Sequence, residues 1–369
     1  MPISMATPAN RKLLPSRRLL LALLLPALVA LDGCSTARFY AQAISGQTSL
    51  LVHRRAIDAV LADPGTSEAL KHKLELAQDV RAFARRMGLS VGGSYSQYED
   101  IHRPYVVWNV FAAPEFSLDP KLFCYPIAGC VSYRGYFDER DAKRFAQTLR
   151  AQGFDVYVGG VAAYSTLGWF DDPILSTFVQ RSDSELAALL FHELAHKTIY
   201  VKGDTRFNES YATTVEQTLL RRWLRQRNAS DAFAAYQASR ARLQQVIALI
   251  EATNHKLAAL YGSDMNADAM RHAKADDIER LRKDYKALRN TWGDHDEFAW
   301  WMRTDINNAK LSTIATYNDW VPGFKRLLED DGGDMKAFLR SVKTLADMDK
   351  PARDTRLEAL SKPAATTGT

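Results

Sequence analysis

The chain has 369 residues, of which 47% are hydrophobic and 25% are charged. This composition excludes a disordered or fibrous protein and fits one large globular domain or two small ones. The formal charge is +5 at pH 7 and falls to +2 without residues 1–33, which hold four basic residues and one acidic one. A chain so close to neutral has no field suited to nucleic acid, so no nucleic-acid partner is expected.

Residues 1–33 have the pattern of a secretory signal peptide. Basic residues precede an apolar run over residues 19–30, which is short for a membrane span. The run ends at Leu31-Asp32-Gly33-Cys34, which resembles the lipobox of bacterial lipoproteins, although the aspartate is unusual there. The resemblance implies lipidation of Cys34, and Ser35 after it implies an outer-membrane lipoprotein facing the periplasm. An uncleaved inner-membrane anchor is the alternative.

The other two cysteines form an even pair. In an oxidising compartment, Cys124 and Cys130 are expected to close a small disulfide loop. Two buried thiols are the alternative.

The N-terminal half is predicted to begin with helices and to continue with a small sheet. Helical periodicity runs over residues 56–89 with a break at Asp63-Pro64-Gly65. Residues rich in β-branched and aromatic side chains predict three strands, and a helix is predicted between the last two. The predicted strands are Tyr105–Phe111, Cys130–Tyr133 and Phe154–Val161, and the helix is Asp138–Gln152. An α+β class follows.

The C-terminal part is predicted to be almost entirely helical. Two long amphipathic segments, Ser230–Leu260 and Asn266–Leu288, are expected to pair as an antiparallel hairpin of about residues 230–290. Residues 351–369 lack periodicity and are predicted to be a loose tail. The main domain therefore spans residues 34–350.

The segment His192-Glu193-Leu194-Ala195-His196 contains candidate metal ligands and a candidate general base. A four-residue step on a helix places both imidazoles on one face, where they can bind one zinc ion. Glu193 can then accept a proton from a water that the metal activates. Helical context is present, because Ser182-Asp183-Ser184-Glu185 predicts a capping box ahead of an apolar run.

A catalytic zinc site needs a third protein ligand and an open fourth position. The preferred candidate is Glu209, because Gly203 ends the first helix and the segment Asn208-Glu209-Ser210-Tyr211-Ala212 opens a second one that can return alongside. Asp204 is the alternative ligand. Lys202 stands where metzincins have a third histidine, which excludes that class.

The Asn-Glu-x-x-Ala pattern resembles that of gluzincins, in which an aspartate four residues after the glutamate orients a ligand histidine. Here that position is Thr213, so the orienting group differs or is Glu216.

Most of the chain resembles a family of bacterial proteins assigned as zinc aminopeptidases, many of which carry a lipoprotein signal. Besides the zinc segment, three blocks carry the resemblance: Arg103–Asn109, Gly129–Phe137 and Ala163–Leu175. The resemblance implies a zincin-like, predominantly helical metallopeptidase that hydrolyses peptides with one zinc ion bound by His192, His196 and Glu209.

Other features of an aminopeptidase are less clearly marked. The usual Gly-x-Met-Glu-Asn motif that holds the substrate amine is absent, so Asp171 or Asp172 is the substitute. Residues 156–164 are expected to pair with extended substrate. Tyr317, or alternatively Tyr211, is expected to stabilise the oxyanion.

Two other functions remain open. An endopeptidase acting on envelope proteins is expected if the pocket is open at both ends and lacks an amine anchor. A non-catalytic envelope scaffold is expected if a fourth protein ligand, such as Asp204 or His295, closes a structural zinc site.

Overall fold

The computed structural model describes residues 39–125, 129–163, 171–314 and 320–362. The chain divides into two compact units, residues 1–49 and residues 50–369. Across the described ranges, no helix combines the length and the apolar character needed to cross a membrane.

The N-terminal half combines short strands with helices. In chain order its elements are α1 (39–52), β1 (Arg55–Ala56), α2 (Ile57–Leu61), α3 (Glu68–Arg86), β2 (Gln97–Glu99), β3 (Val107–Pro114), β4 (Phe123–Tyr125), β5 (Gly129–Val131), β6 (Tyr133–Tyr136), α4 (Glu139–Ala151), β7 (Phe154–Val161) and β8 (Ile174–Leu175). Helix α3 begins at the predicted break, where the Ser67 hydroxyl accepts a hydrogen bond from the Leu70 amide at 3.3 Å.

Two small three-stranded sheets precede the helical part. One has the order β1-β2-β8, and the other is antiparallel with the order β6-β3-β7. Helix α4 packs on the second sheet, where Val110 and Ala112 of β3 are buried. Because side chains alternate along a strand, Phe111 lies on the opposite face. It pairs with Tyr133 on one side and Tyr157 on the other, so three aromatic residues form a row across the sheet.

Strands β4 and β5 form a two-stranded ribbon. A disulfide joins Cys124 and Cys130, with the sulfur atoms 2.03 Å apart. The ribbon leads directly into β6, which carries Tyr133.

The C-terminal part is helical. Its elements are α5 (Ser176–Val179), α6 (Asp183–Thr198), α7 (Thr205–Gln226), α8 (Ser230–Tyr261), α9 (Ala267–Arg289), α10 (Ala299–Arg303), α11 (Asn308–Leu311), α12 (Val321–Asp330), α13 (Met335–Ala346) and α14 (Lys350–Ser361). Helices α6 and α7 pack against each other, and α8 packs against α9, which confirms the predicted hairpin.

Two hydrophobic cores hold these helices. The larger one includes buried aromatic residues from α3, α6, α7, α12 and α13: Phe83, Phe191, Phe207, Tyr211, Phe324 and Phe338. The smaller one lies within the hairpin and the short helices that follow it: Val246, Ile250, Leu257, Leu281, Tyr285 and Met302. The candidate ligands of α6 and α7 thus stand on helices anchored in the larger core.

The α+β class, mostly helical with small sheets, is confirmed. The predicted strand Phe154–Val161 has the same bounds in the structure. The predicted helix over residues 138–152 loses only its first and last residues, which serve as its caps. The predicted strand over residues 130–133 is divided between β5 and β6.

The prediction of a loose tail from residue 351 is wrong over its first part, because α14 continues to residue 361. Asp349 caps this helix and Leu357 is buried. Arg353 pairs with the buried Asp204 at 2.7 Å. These contacts reach residues far away in the chain, so no local periodicity reveals them. Residues 363–369 of the predicted tail lie outside the described residues.

Candidate metal centre

Helix α6 places two histidines on one face. It begins with the predicted capping box: the Ser182 hydroxyl accepts a hydrogen bond from the Glu185 amide at 3.3 Å, and the Glu185 carboxylate accepts one from the Ser182 amide at 3.1 Å. Residues four apart lie one above the other on a helix. His192 and His196 therefore point the same way, with ring centroids 4.7 Å apart.

A tight turn brings α7 back alongside α6. Gly203 has φ +80°, a left-handed conformation that glycine adopts at little cost, and Asp204 then caps α7. The carboxamide of Asn208 closes the turn, because it accepts a hydrogen bond from the Val201 amide and donates one to the Val201 carbonyl, both at 2.8 Å. Asn208 thereby helps to position Glu209 opposite the histidines, a role that the sequence motif did not assign.

The three predicted ligands converge on one point. The Nε2 atoms of His192 and His196 are 3.1 Å apart. The carboxylate oxygens of Glu209 lie 3.3 Å from His192 Nε2 and 3.5 Å from His196 Nε2. Ligand atoms around a tetrahedral zinc ion, with bonds of about 2.0–2.1 Å, are about 3.3 Å from one another. The three side chains can therefore hold one metal ion.

Glu216 orients one of the histidines. Its Oε2 atom lies 2.9 Å from His192 Nδ1, and its other oxygen accepts a hydrogen bond from the Tyr236 hydroxyl of α8. When Nδ1–H donates to this carboxylate, the lone pair of Nε2 is left for a metal. Of the two arrangements left open by the sequence, the structure has Glu216 beside the ligand histidine.

The carboxylates around His192 favour a cation at the centre. Burial alone would lower the pKa of His192, but hydrogen bonds with Glu209 and Glu216 outweigh it and raise the pKa to about 10. Burial would raise the pKa of Glu209, but contacts with His192 and His196 outweigh it and hold that pKa well below its usual range. The anionic surroundings and the converging nitrogen atoms together suit a metal cation.

Glu193 follows the first histidine and is not one of the converging ligands. Burial raises its pKa above the usual glutamate value, and the charges of Glu209 and Asp172 add to the effect, against the opposing influence of the two histidines. A carboxylate with a raised pKa beside a metal centre is suited to accept and return a proton near neutral pH.

Tyr95 interacts electrostatically with this carboxylate, and the sequence did not indicate it. Burial raises its pKa well above the usual tyrosine value, and the charges of Glu193 and Asp172 raise it further. Its backbone has φ +58°, which is rare for a bulky residue, and its amide donates to the Asp172 carbonyl at 2.7 Å. The preceding Gly92-Gly93 pair signals an unusual turn, but nothing in that pattern connects Tyr95 with α6.

Partly exposed tyrosines lie next to the candidate metal centre and on the second sheet. The ring of Tyr200 lies 6.4 Å from that of His196, and the residue is 46% exposed. Tyr200 in turn interacts with Tyr133, which is 41% exposed. Phe111 lies 5.7 Å from Tyr133, centroid to centroid. Tyr200 is therefore the aromatic residue next to His196, and Tyr133 belongs to the row on the sheet.

The other candidate residues have different surroundings. Asp204 pairs with Arg353 at 2.7 Å, and His295 lies 3.6 Å from Glu297 on an exposed segment. Neither belongs to the group of converging ligands. Tyr211 is fully buried in the larger core, among phenylalanine rings, which makes it a packing residue. Tyr317 and Cys34 lie outside the described residues.

The sequence was compared with protein-family models, curated proteins and solved structures. A family described as "Putative aminopeptidase" matches residues 38–357. The chain belongs to this family. No curated protein and no solved structure shows significant similarity to it. Membership indicates a peptidase, and the whole candidate metal centre lies within the matched residues.

Proposed function

We propose that the chain is a zinc-dependent aminopeptidase in which His192, His196 and Glu209 hold one zinc ion and Glu193 is the general base. The observation that carries the proposal is the convergence of the three ligand side chains, at 3.1–3.5 Å from one another. Two imidazoles and one carboxylate suit zinc, and three protein ligands leave a fourth position open. When bound, zinc supplies a Lewis acid that polarises the scissile carbonyl and makes water a better nucleophile.

Glu193 moves the proton in this proposal. It takes a proton from the attacking water and passes it to the leaving amine. Its raised pKa supports the first step, because a more basic carboxylate accepts a proton more readily.

The free amine of the substrate needs an acidic partner at a set distance from the metal. Of the two aspartates considered, Asp171 is about half exposed and is already paired with Lys197 at 2.8 Å. Asp172 is 7% exposed, and its charge influences Glu193. Both aspartates have partners, so Asp171 or Asp172 remains the proposed amine anchor.

The substrate chain and the oxyanion need further partners. Among the described residues, β7 lies at the edge of its sheet, which supports the proposal that residues 156–164 pair with extended substrate, although residue 164 itself lies outside the described ranges. Tyr317 remains the proposed oxyanion donor. Tyr200, next to His196, favours a large apolar side chain beside the scissile bond.

The competing functions make different demands on the site. A scaffold with structural zinc needs a closed set of four ligands, and the converging group contains three among the described residues. This favours an enzyme. An endopeptidase uses the same centre without the amine anchor, so it differs from the proposal only in the role of Asp171 or Asp172.

The location of the protein is also a proposal. Lipidation at Cys34 would hold the enzyme in the outer membrane, facing peptides or proteins of the periplasm. An inner-membrane anchor is the alternative, and both place the metal centre in the cell envelope.

The decisive experiment is a digest of a mixed peptide library by the full-length, detergent-solubilised protein, analysed by mass spectrometry. The wild type is compared with Glu193→Gln, and with Glu358→Gln as a matched control on the exposed face of α14. Glu193→Gln is expected to retain zinc and lose about 10²–10⁴-fold in rate, the contribution of a general base. The control is expected to match the wild type.

The pattern of products separates the functions. Stepwise loss of N-terminal residues supports the aminopeptidase, whereas internal cuts support the endopeptidase. If no peptide is cleaved although zinc is bound, the proposed enzyme is refuted and the scaffold takes its place.

A further inference from the structure

A strongly basic cavity lies between α7, α8 and α12, away from the candidate ligands. Its volume is about 390 Å³. Its lining includes four cationic side chains and one acidic one: Arg221, Arg222, Arg225, Lys325 and Glu329. One carboxylate cannot balance four cations, so the cavity has a positive field.

The cations of this cavity are not neutralised by neighbours. Within the described residues, none of the four forms an ion pair, although Arg222 donates to the Gly333 carbonyl. Desolvation lowers the pKa of Lys325, and no opposing carboxylate contributes. Other arginines near the same helices are paired, such as Arg227 with Asp79 at 2.6 Å. Unpaired cations that share one cavity repel one another, and a bound anion would relieve this repulsion.

A second cavity adjoins the basic cavity along α7. Gln217 lines both this cavity and a second one of about 320 Å³. The second cavity adds Arg240 of α8 and begins at Thr213, one helical turn after Glu209. Arg221 and Arg225 are also one turn apart on α7, so their guanidinium groups can bind neighbouring oxyanion groups of one ligand.

We infer that this cavity binds a small polyanion that carries phosphate or carboxylate groups. Arginine suits both groups, because its planar fork donates two parallel hydrogen bonds to either one. Lys325, on α12, supplies a point charge from a second wall of the cavity. The inference concerns a site separate from the metal centre and does not depend on peptidase activity.

The test is calorimetric titration of the full-length protein with pyrophosphate and, separately, with citrate. The double variant Arg221→Gln/Arg225→Gln is compared with Arg85→Gln/Arg356→Gln, which removes the same charge from positions on α3 and α14 that are exposed like Arg221 and Arg225 but do not line the cavity. Binding to the wild type is expected to weaken by about tenfold or more in the first variant, because two charge-assisted contacts are lost. The control is expected to bind like the wild type.

The outcomes are distinct. Pyrophosphate bound at the metal centre would persist in the double variant, because that variant keeps all three candidate ligands. Equal binding by both variants, or no binding of either anion to the wild type, overturns the inference. Vesicles of phosphatidylcholine with and without phosphatidylglycerol identify the source of the anion. Arginine-dependent binding to the anionic vesicles assigns a lipid headgroup, and arginine-dependent binding of the soluble anions alone assigns a free polyanion.

Discussion

Two regions of the molecule bury ionisable groups in opposite ways. Where α9 meets β7 and α11, Lys274 and Asp155 pair at 2.6 Å. Lys274 also donates to the Glu115 carbonyl at 2.8 Å, and the Asp155 carboxylate accepts from the Asn308 amide at 2.9 Å. The Asn308 side chain accepts a hydrogen bond from the Tyr261 hydroxyl at 2.8 Å. Each charge in this region has an opposite charge, and each of these groups has a partner.

Between α6 and α7 the charges do not balance. His192 and His196 converge with Glu209, while Glu216 and Glu193 add two more carboxylates. The two regions differ in charge balance, and this difference separates structural from metal-binding clusters. A cluster that is neutral and fully paired holds the fold, whereas a cluster with excess negative charge and converging lone pairs holds a cation.

The largest effect is expected for His196→Ala. Removing one of three ligands should lower zinc affinity by about 10³-fold or more, because ligand contacts make up most of the binding free energy. Competition with a zinc-binding dye measures the change. His295→Ala is the matched control, since His295 is exposed and outside the group. Equal affinity in both variants would place the metal elsewhere.

Lys274→Met tests the paired region. It leaves Asp155 buried without its partner and should lower the free energy of unfolding by about 3 kcal/mol, with no change in zinc affinity. Urea unfolding measures the loss, and Lys283→Met on the exposed face of α9 is the control. If Lys274→Met lowered zinc affinity and left the free energy of unfolding unchanged, the roles assigned to the two regions would be wrong.

Glu216→Gln tests the group that orients His192. The amide keeps the size of the side chain but removes the charge that holds Nδ1–H. Zinc affinity should fall by about 10–100-fold, the range for partners of metal ligands. An unchanged affinity, measured against Glu358→Gln, would show that Glu216 has only a packing role.

The smallest effects are expected for two tyrosine variants, one in each region. Tyr236→Phe removes a hydrogen bond to Glu216, and Tyr261→Phe removes one to Asn308. Each bond contributes about 1 kcal/mol. The first variant should lower zinc affinity by up to about fivefold. The second should lower the free energy of unfolding without changing zinc affinity. Equal changes in zinc affinity and in stability in the two variants would contradict the different roles of the two regions.

Part of the site could be predicted because its signals are local. The capping residue Ser182 and the four-residue step from His192 to His196 are properties of a single helix. Glu209 required one more inference, that a second helix returns after Gly203, and the structure has that turn. Glu216 was one of two possibilities, because a spacing of seven residues places it on the same side of α7 as Glu209 without saying what it touches.

Other features depend on packing between distant segments. Tyr95 comes under the influence of the Glu193 charge because its segment folds against α6, where Lys197 donates to the Ser94 hydroxyl at 2.7 Å. The helix α14 was missed because its stability depends on Arg353 and the remote Asp204. A pattern within one segment contains no information about such partners.

Local sequence patterns are enough to predict the helices with the candidate ligands, the hairpin of α8 and α9, and the residue types able to bind a metal. These features follow from periodicity and capping, which act over a few residues. Three other features appear only in the folded chain: the carboxylate that orients His192, the position of Tyr200 next to His196, and the cavity shared by cations of α7 and α12. Each of these depends on the packing of separate helices and strands, which sets distances between side chains that are far apart in the chain.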